Sequence, residues 1–161
     1  MKIYLMRHGH SPSALEAGVE SDAERPLSKR GREDARRAAR HLLARGARPA
    51  LILVSPLLRA RATAAEAAAE LRPAPPERVF TPLDNRVSGA ELLPLLLAEA
   101  DAEEVLVVGH QPQLGDAVQS LLDREFHFQP AGVAALECSR GTARLLWAAN
   151  PQDISDGARR T

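Results

Sequence analysis

Cysteine is almost absent from this 161-residue chain. Cys138 stands alone, so neither an intramolecular disulfide framework nor a cysteine-based zinc knuckle can form. Aromatic residues are nearly as scarce, with three Phe, one Trp and one Tyr, which leaves no stacking platform for single-stranded nucleic acid. Neither sign of charge is in excess: Lys plus Arg and Asp plus Glu each number 21, a formal net charge of zero. General affinity for nucleic acid or an anionic membrane surface needs surplus positive charge, and none is present. No apolar run approaches the roughly 18 residues of a membrane span. The N-terminal stretch Ile3-Tyr4-Leu5-Met6 is cut short by Arg7 and His8, too early for a secretory h-region. These absences set the expectation of a soluble, reduced, cytoplasmic protein with no nucleic-acid or membrane partner. A chain of this size hides roughly 68–70% of its extended surface, so one core without covalent staples is enough.

What the chain does have is alternation. Lys2–Met6 reads as a strand that stops at a polar, glycine-bearing turn, Arg7-His8-Gly9-His10-Ser11. After a polar loop, Ser28 has the character of an N-cap, and Ala35, Ala38, Ala39, Leu42 and Leu43 recur at helical spacing up to the stop at Gly46. Leu51–Val54 is a second strand. It ends at Ser55-Pro56, where Pro56 suits the first position of an alanine-rich helix running to about Leu71. Val79–Phe80 reads as a third strand and Ala90–Ala100 as a helix. Glu104–Val108 has the continuous apolar run of a strand buried on both faces and stops at Gly109-His110-Gln111-Pro112. Leu114, Ala117, Val118, Leu121 and Leu122 repeat the helical spacing, and Val133–Glu137 with Ala143–Ala148 form a hairpin around Arg140-Gly141. Strand–helix alternation predicts an α/β three-layer sandwich, a mostly parallel central sheet flanked by helices. One domain over residues 1–151 is expected, with 152–161 as a C-terminal tail.

Ligands of such folds gather at the carboxyl ends of the strands. Three polar clusters fall at predicted strand ends: Arg7-His8, Ser55-Pro56 with Arg59, and Gly109-His110. Two histidines and two arginines can therefore share one rim. The planar fork of arginine matches phosphate oxygens, and a neutral histidine can attack phosphorus. Phosphoryl transfer asks mainly for positioning and for neutralisation of the equatorial oxygens. Arg7, Arg59 and His110 would clamp those oxygens while His8 attacks in line, with backbone N–H groups added by a helix starting near Pro56 or Pro112. No metal and no cofactor is implied, because the arginines take the charge-neutralising role.

These residues fall into a known pattern. Arg7-His8-Gly9 resembles the Arg-His-Gly signature of the histidine phosphatase superfamily. Ser55-Pro56-Leu57-Leu58-Arg59-Ala60-Arg61-Ala62-Thr63 resembles its Ser-Pro-x-x-Arg-Ala-x-x-Thr segment, and Gly109-His110 its second histidine. The length, Arg25-Pro26-Leu27-Ser28 before the first long helix, and His110-x-Pro112 are similar to the small SixA-type phosphohistidine phosphatases. The resemblance spans Met1 to about Pro151. It implies the phosphoglycerate mutase-like fold, His8 as the nucleophile of a covalent phosphohistidine, and a pocket of Arg7, Arg59 and His110, with His110 working protonated. One departure matters. Larger superfamily members carry a Glu or Asp that protonates the leaving oxygen, and the stretch Pro82–Gly89 offers no glutamate, leaving Asp84 and Glu91 as the candidates. An alkoxide wants a general acid, typically worth about 10²–10⁴ in rate, whereas an imidazole leaves more readily. The expected substrate is therefore a phosphorylated protein, such as a histidine phosphotransfer domain or phosphocarrier. A small phosphate ester is the alternative, and a phosphate-binding regulatory module without activity is the alternative from another class.

The remaining candidates have plainer readings. His8-x-His10 as a metal pair fails on the opposite facing of alternate residues and the want of a third ligand, which leaves His10 at the pocket mouth or in solvent. His41 is expected exposed and Cys138 structural. Arg32, Arg36 and Arg40 read as a solvated face, since Glu33 and Asp34 interleave with them. Arg25 could reach the phosphate or a partner, and His127 could border the site or pack.

Overall fold

Apolar runs too short for helices become strands. In the computed structural model, which describes residues 1–155, β1 (Lys2–Arg7), β2 (Leu51–Val54), β3 (Glu77–Val79) and β4 (Glu104–Gly109) lie parallel. β5 (Val133–Ser139) and β6 (Thr142–Ala149) join antiparallel, giving the spatial order β3-β2-β4-β1-β5-β6. The central strands are buried on both sides, and their period of two divides the core into two layers. Past the single turn of α1 (Ala14–Ala17), Tyr4, Met6, Leu106 and Val108 face α2 (Lys29–Ala44) and α3 (Leu58–Glu70) through Ala39, Leu42, Ala60 and Ala64. Ile3, Leu5, Val105 and Val107 face α4 (Gly89–Glu99) and α5 (Gln113–Leu122) through Leu92, Leu96, Leu114 and Val118. Each fully buried leucine of this kind stabilises the fold by about 1.5–3 kcal/mol relative to exposure. The α/β sandwich expected from the sequence is the fold observed. Among the described residues no helix is long and apolar enough to cross a membrane.

Local chemistry sets the helix ends. Ser28 caps α2 by accepting the Gly31 N–H at 3.0 Å, and Gly46, at φ +84°, carries the chain away in the left-handed region. The arginine row of α2 is more than a solvated face. Arg36 pairs with Glu66 at 2.5 Å and Arg40 with Glu70 at 3.1 Å, so the row ties α2 to α3, and Glu33 adds a second partner to Arg40 at 3.2 Å. His41 packs edge-on against Trp147 with ring centroids 5.2 Å apart, rather than standing in solvent.

Two boundaries depart from expectation. Pro56 does not open α3, which begins at Leu58, because the Leu57 N–H is held by the Ser55 hydroxyl at 3.3 Å in a tight turn before the helix. The expected tail does not begin at 152 either. Pro151–Asp153 form a 3₁₀ turn, Ile154 is buried in the core, and its carbonyl accepts from Arg37 at 2.8 Å. Residues 156–161 of that tail lie outside the described residues.

Register positions the site. Arg7 pairs with Gly109 across β1 and β4, and Val54 with Val108 across β2 and β4. All three strands therefore end within one rung of each other. The His8 N–H donates to the Gly109 carbonyl at 2.9 Å and the Ser55 N–H to the Val108 carbonyl at 3.0 Å, extending that rung into the loops.

Candidate active site

His8, Arg7, Arg59 and His110, taken from three separate stretches of sequence, meet at this edge of the sheet. The rings of His8 and His110 lie 5.1 Å apart between centroids and are tilted by 54°. His8, His110 and Arg59 are buried. Arg7 and Arg59 are close enough that the charge of Arg59, after burial, lowers the Arg7 pKa below the ordinary guanidinium range.

The environment of His8 fixes which nitrogen reacts. Its Nδ1 lies 2.7 Å from the Gly9 carbonyl, which can only accept, so Nδ1 carries the proton. The lone pair is then on Nε2, which has no hydrogen bond among the described residues. Burial, offset in part by that carbonyl and reinforced by His110 and the two arginines, lowers the His8 pKa from 6.5 to about 3. At neutral pH the ring is an uncharged base with one free nitrogen. The Gly9 amide is in turn held by the Thr63 hydroxyl at 3.0 Å, and that hydroxyl donates to the Arg59 carbonyl at 2.7 Å. Thr63 thus couples the loop that carries His8 to the helix that carries Arg59. The same loop presses on α2 so closely that a Cβ on Gly9 would stand 2.5 Å from the Gly31 carbonyl oxygen, and one on Gly31 would stand 2.2 Å from that of His10. Only glycine fits at both positions.

His110 departs from the expectation of a protonated ring. In the substrate-free site burial, and next the charge of Arg59, lower its pKa from 6.5 to about 4, so it is neutral. Its Nε2 shares a 2.7 Å hydrogen bond with the Ser55 hydroxyl. Its Nδ1 is buried without a partner among the described residues, as are Nε of Arg7 and Nε of Arg59. Buried donors are normally satisfied, and leaving one unmet costs about 1–3 kcal/mol, so three around one histidine mark a place for an acceptor-rich ligand. Three neighbouring nitrogens are already committed: Arg7 Nη1 donates to the Phe128 carbonyl at 2.8 Å, and Arg59 Nη1 and Nη2 to the Asp22 carbonyl and carboxylate at 2.9 and 3.0 Å.

Other candidates are placed elsewhere. The Asp84 carboxylate pairs with Arg86, which lowers its pKa and keeps it ionised. Glu91 closes the N-terminal box of α4 on Ser88, at 3.0 Å from the amide and 2.9 Å from the hydroxyl. Neither is a ready proton donor. The first amides of α5 are also spoken for, with Gln113 N–H on Asn85 Oδ1 at 3.4 Å and Leu114 N–H on the His110 carbonyl at 3.0 Å. Contrary to expectation, that helix start adds no free amide to the pocket. His10 is exposed, bonds Ser28 Oγ at 2.7 Å and opens on a cleft of about 500 Å³ lined also by Arg30, Gln129 and Pro130. The His127 ring is exposed, while its carbonyl accepts from Asn150 at 3.0 Å. Arg25 does not enter the phosphate pocket. It staples its own loop through the Pro12 and Ser11 carbonyls at 2.8 and 3.1 Å and holds Asp22 at 3.0 Å. Among the described residues no group of three or more His, Cys, Asp or Glu is placed to hold a metal ion.

Sequence reasoning singled out neither Ser55, Thr63 nor Asp22 as a functional side chain. The first two stand inside the quoted Ser-Pro segment and were within reach. Asp22 lies in a polar loop with no periodicity to betray it.

Comparison with known proteins identifies the family. The sequence profile of the histidine phosphatase superfamily (branch 1) matches residues 3–81. A phosphohistidine phosphatase SixA of Escherichia coli (strain K12) is 31% identical over 96% of each chain. An uncharacterised protein of Picosynechococcus is 39% identical over 90% of this chain and 88% of its own. The structure of the protein histidine phosphatase SixA complexed with tungstate superimposes with a TM-score of 0.86 at 26% identity, covering 96% of this chain and 99% of that one. The chain belongs to the histidine phosphatase superfamily, as a phosphatase homologous to SixA.

Proposed function

We propose that this protein is a metal-independent phosphatase that carries the phosphoryl group on His8 and takes it from phosphohistidine in a protein. The observation that supports the reading best is the trio of unpartnered buried nitrogens, Arg7 Nε, Arg59 Nε and His110 Nδ1, beside the free Nε2 of His8. Two guanidinium edges and a ring N–H match the equatorial oxygens of a phosphoryl group, whose charge they offset without a metal. With the Ser55 hydroxyl, already accepting from Leu57 N–H, giving its own hydrogen to His110 Nε2, the His110 proton sits on Nδ1. A neutral His110 can therefore donate, and an incoming dianion raises its pKa further.

The chemistry runs in two displacements. The His8 Nε2 lone pair attacks phosphorus, the P–N bond to the substrate breaks, and its electron pair returns to the departing imidazole. Nδ1 keeps its proton on the Gly9 carbonyl, which steadies the imidazolium that forms. Water then attacks phosphorus, the new P–N bond returns its pair to Nε2, and inorganic phosphate leaves. Exchange of one P–N bond for another is close to balanced and needs no acid strong enough to expel an alkoxide. That suits a site whose nearby carboxylates, Asp84 and Glu91, are engaged elsewhere. The tungstate bound by the SixA of the matching structure is a tetrahedral oxyanion, consistent with a phosphoryl pocket here.

The test offers a phosphorylated histidine phosphotransfer domain or phosphocarrier and a set of alkyl phosphomonoesters side by side. Faster turnover of the phosphohistidine protein is expected. Efficient hydrolysis of alkyl phosphomonoesters with no activity on the protein would overturn the substrate assignment.

A further inference from the structure

The loop between β1 and α2 puts a carboxylate where the chemistry above makes no use of one. Asp22, on a 3₁₀ turn spanning Asp22–Glu24, meets Arg59 end-on: its carbonyl accepts from Nη1 at 2.9 Å and its Oδ2 from Nη2 at 3.0 Å. This contact does not compete for the phosphoryl group. It takes the tip of the guanidinium and leaves the Nε edge, buried and unpartnered, for the ligand. The Asp22 side chain is 64% exposed and that of Arg59 only 8%, so the carboxylate stands on the solvent side of a phosphate-binding arginine. His8 and His110 are buried with their rings 5.1 Å apart, and the Asp22 charge is close enough to act on His110.

The carboxylate is fixed. Its Oδ1 accepts from Arg25 Nη1 at 3.0 Å, and Arg25 is anchored in turn to the Pro12 and Ser11 carbonyls. Arg25 first, with Arg59 adding to it, lowers the Asp22 pKa below the usual 3.8, so it is an acceptor at working pH. Two arginine hydrogens leave lone pairs to spare on both oxygens.

A phosphoimidazole departs as neutral imidazole when its far ring nitrogen bears a proton, and as a far poorer imidazolate when it does not. We propose that Asp22 accepts the N–H of the substrate's phosphoimidazole and so holds it in the protonated form from which it leaves; this rests on the phosphohistidine reading above. The ring keeps that proton throughout. The P–N electron pair returns to the ring, the new bond forms at His8 Nε2, and no proton need cross from the enzyme. Arg25 acts one step behind, as the positioning residue that aims the carboxylate.

The test compares the wild-type chain with Asp22→Asn and Asp22→Glu on two substrates, a phosphohistidine protein and p-nitrophenyl phosphate, whose phenolate carries no N–H. Asp22→Asn is expected to lose roughly 10- to 100-fold in kcat/KM on phosphohistidine, the worth of a hydrogen bond to a charged group. On the aryl ester it should lose no more than about fivefold, the worth of an ion pair with one exposed partner. The alkaline limb of kcat on phosphohistidine, set by ionisation within the complex, moves to lower pH in Asp22→Asn, and Asp22→Glu recovers part of the loss. Equal losses on both substrates would show that Asp22 only orients Arg59 and would overturn the proposal alone. Wild-type enzyme that cleaves the aryl ester but not phosphohistidine would overturn the reading beneath it.

Discussion

Thr63 holds two halves of the site together through one hydroxyl, and Thr63→Val removes that hydroxyl while keeping the shape. The side chain is fully buried, so no water replaces what is lost. The two bonds are not of equal worth. The hydroxyl's donation to the Arg59 carbonyl at 2.7 Å is a back-bond within α3, on an oxygen the helix already engages, and its loss is cheap. The Gly9 N–H at 3.0 Å has no other partner, and stranding it in the interior costs about 1–3 kcal/mol. For a domain of this size each kcal/mol moves Tm by about 2–4 °C, so a fall of roughly 2–12 °C is expected. Activity should suffer more than stability. Gly9 carries the carbonyl that fixes the His8 tautomer, and a shift of order 1 Å in a reacting group can cost about 10²-fold. Thermal melts and kcat on p-nitrophenyl phosphate measure both effects, and Thr63→Ser should restore most of each. A Thr63→Val protein that melts and turns over like wild type would refute the coupling between loop and helix.

Gly31→Ala should also lose stability, although alanine favours a helix interior by up to about 1 kcal/mol over glycine. The added Cβ would stand 2.2 Å from the His10 carbonyl oxygen, and overpacking against backbone costs about 1–3 kcal/mol, so the clash wins and kcat falls as the His8 loop shifts. A stabilised Gly31→Ala would sink this account. Stability should also fall with acid. His8 and His110 have folded pKa values of about 3 and 4 against 6.5 unfolded, so the unfolded chain binds more protons between those values. Their contribution is complete above 6.5 and is lost as pH falls toward 3–4. Urea midpoints over that window should drop in wild type and drop less in His8→Asn and His110→Asn, and parallel curves would contradict the assignment of neutral rings.

The sheet and its helices were legible because both periods are clean in this sequence. Val105 to Val108 alternate between two buried layers, and Ala35, Ala38, Ala39 and Leu42 mark one face of α2. Convergence of the four polar residues followed from their places at strand ends, since parallel strands present those ends on one side of the sheet. Proline misled at position 56. Its fixed φ suits a helix start, but the Ser55 hydroxyl captures the next amide, a side-chain choice that no propensity records. The burial that lowers the His110 pKa was illegible for a related reason: sequence gives the reference pKa but not the surroundings. Asp22 escaped notice because it meets Arg59 from 37 residues away along the chain, and a short polar loop carries no pattern. The pairing of Gly9 with Gly31 is likewise a contact between distant segments, visible only once α2 is docked.

The claim beneath all of this is that phosphorus bonds to one particular nitrogen. Rapid quenching of the protein with a radiolabelled phosphohistidine donor, followed by peptide mapping, addresses it most directly. An acid-labile, alkali-stable label on the peptide bearing His8, absent from His8→Ala, is the expected result. Steady turnover with no label at His8, or undiminished turnover by His8→Ala, would contradict it.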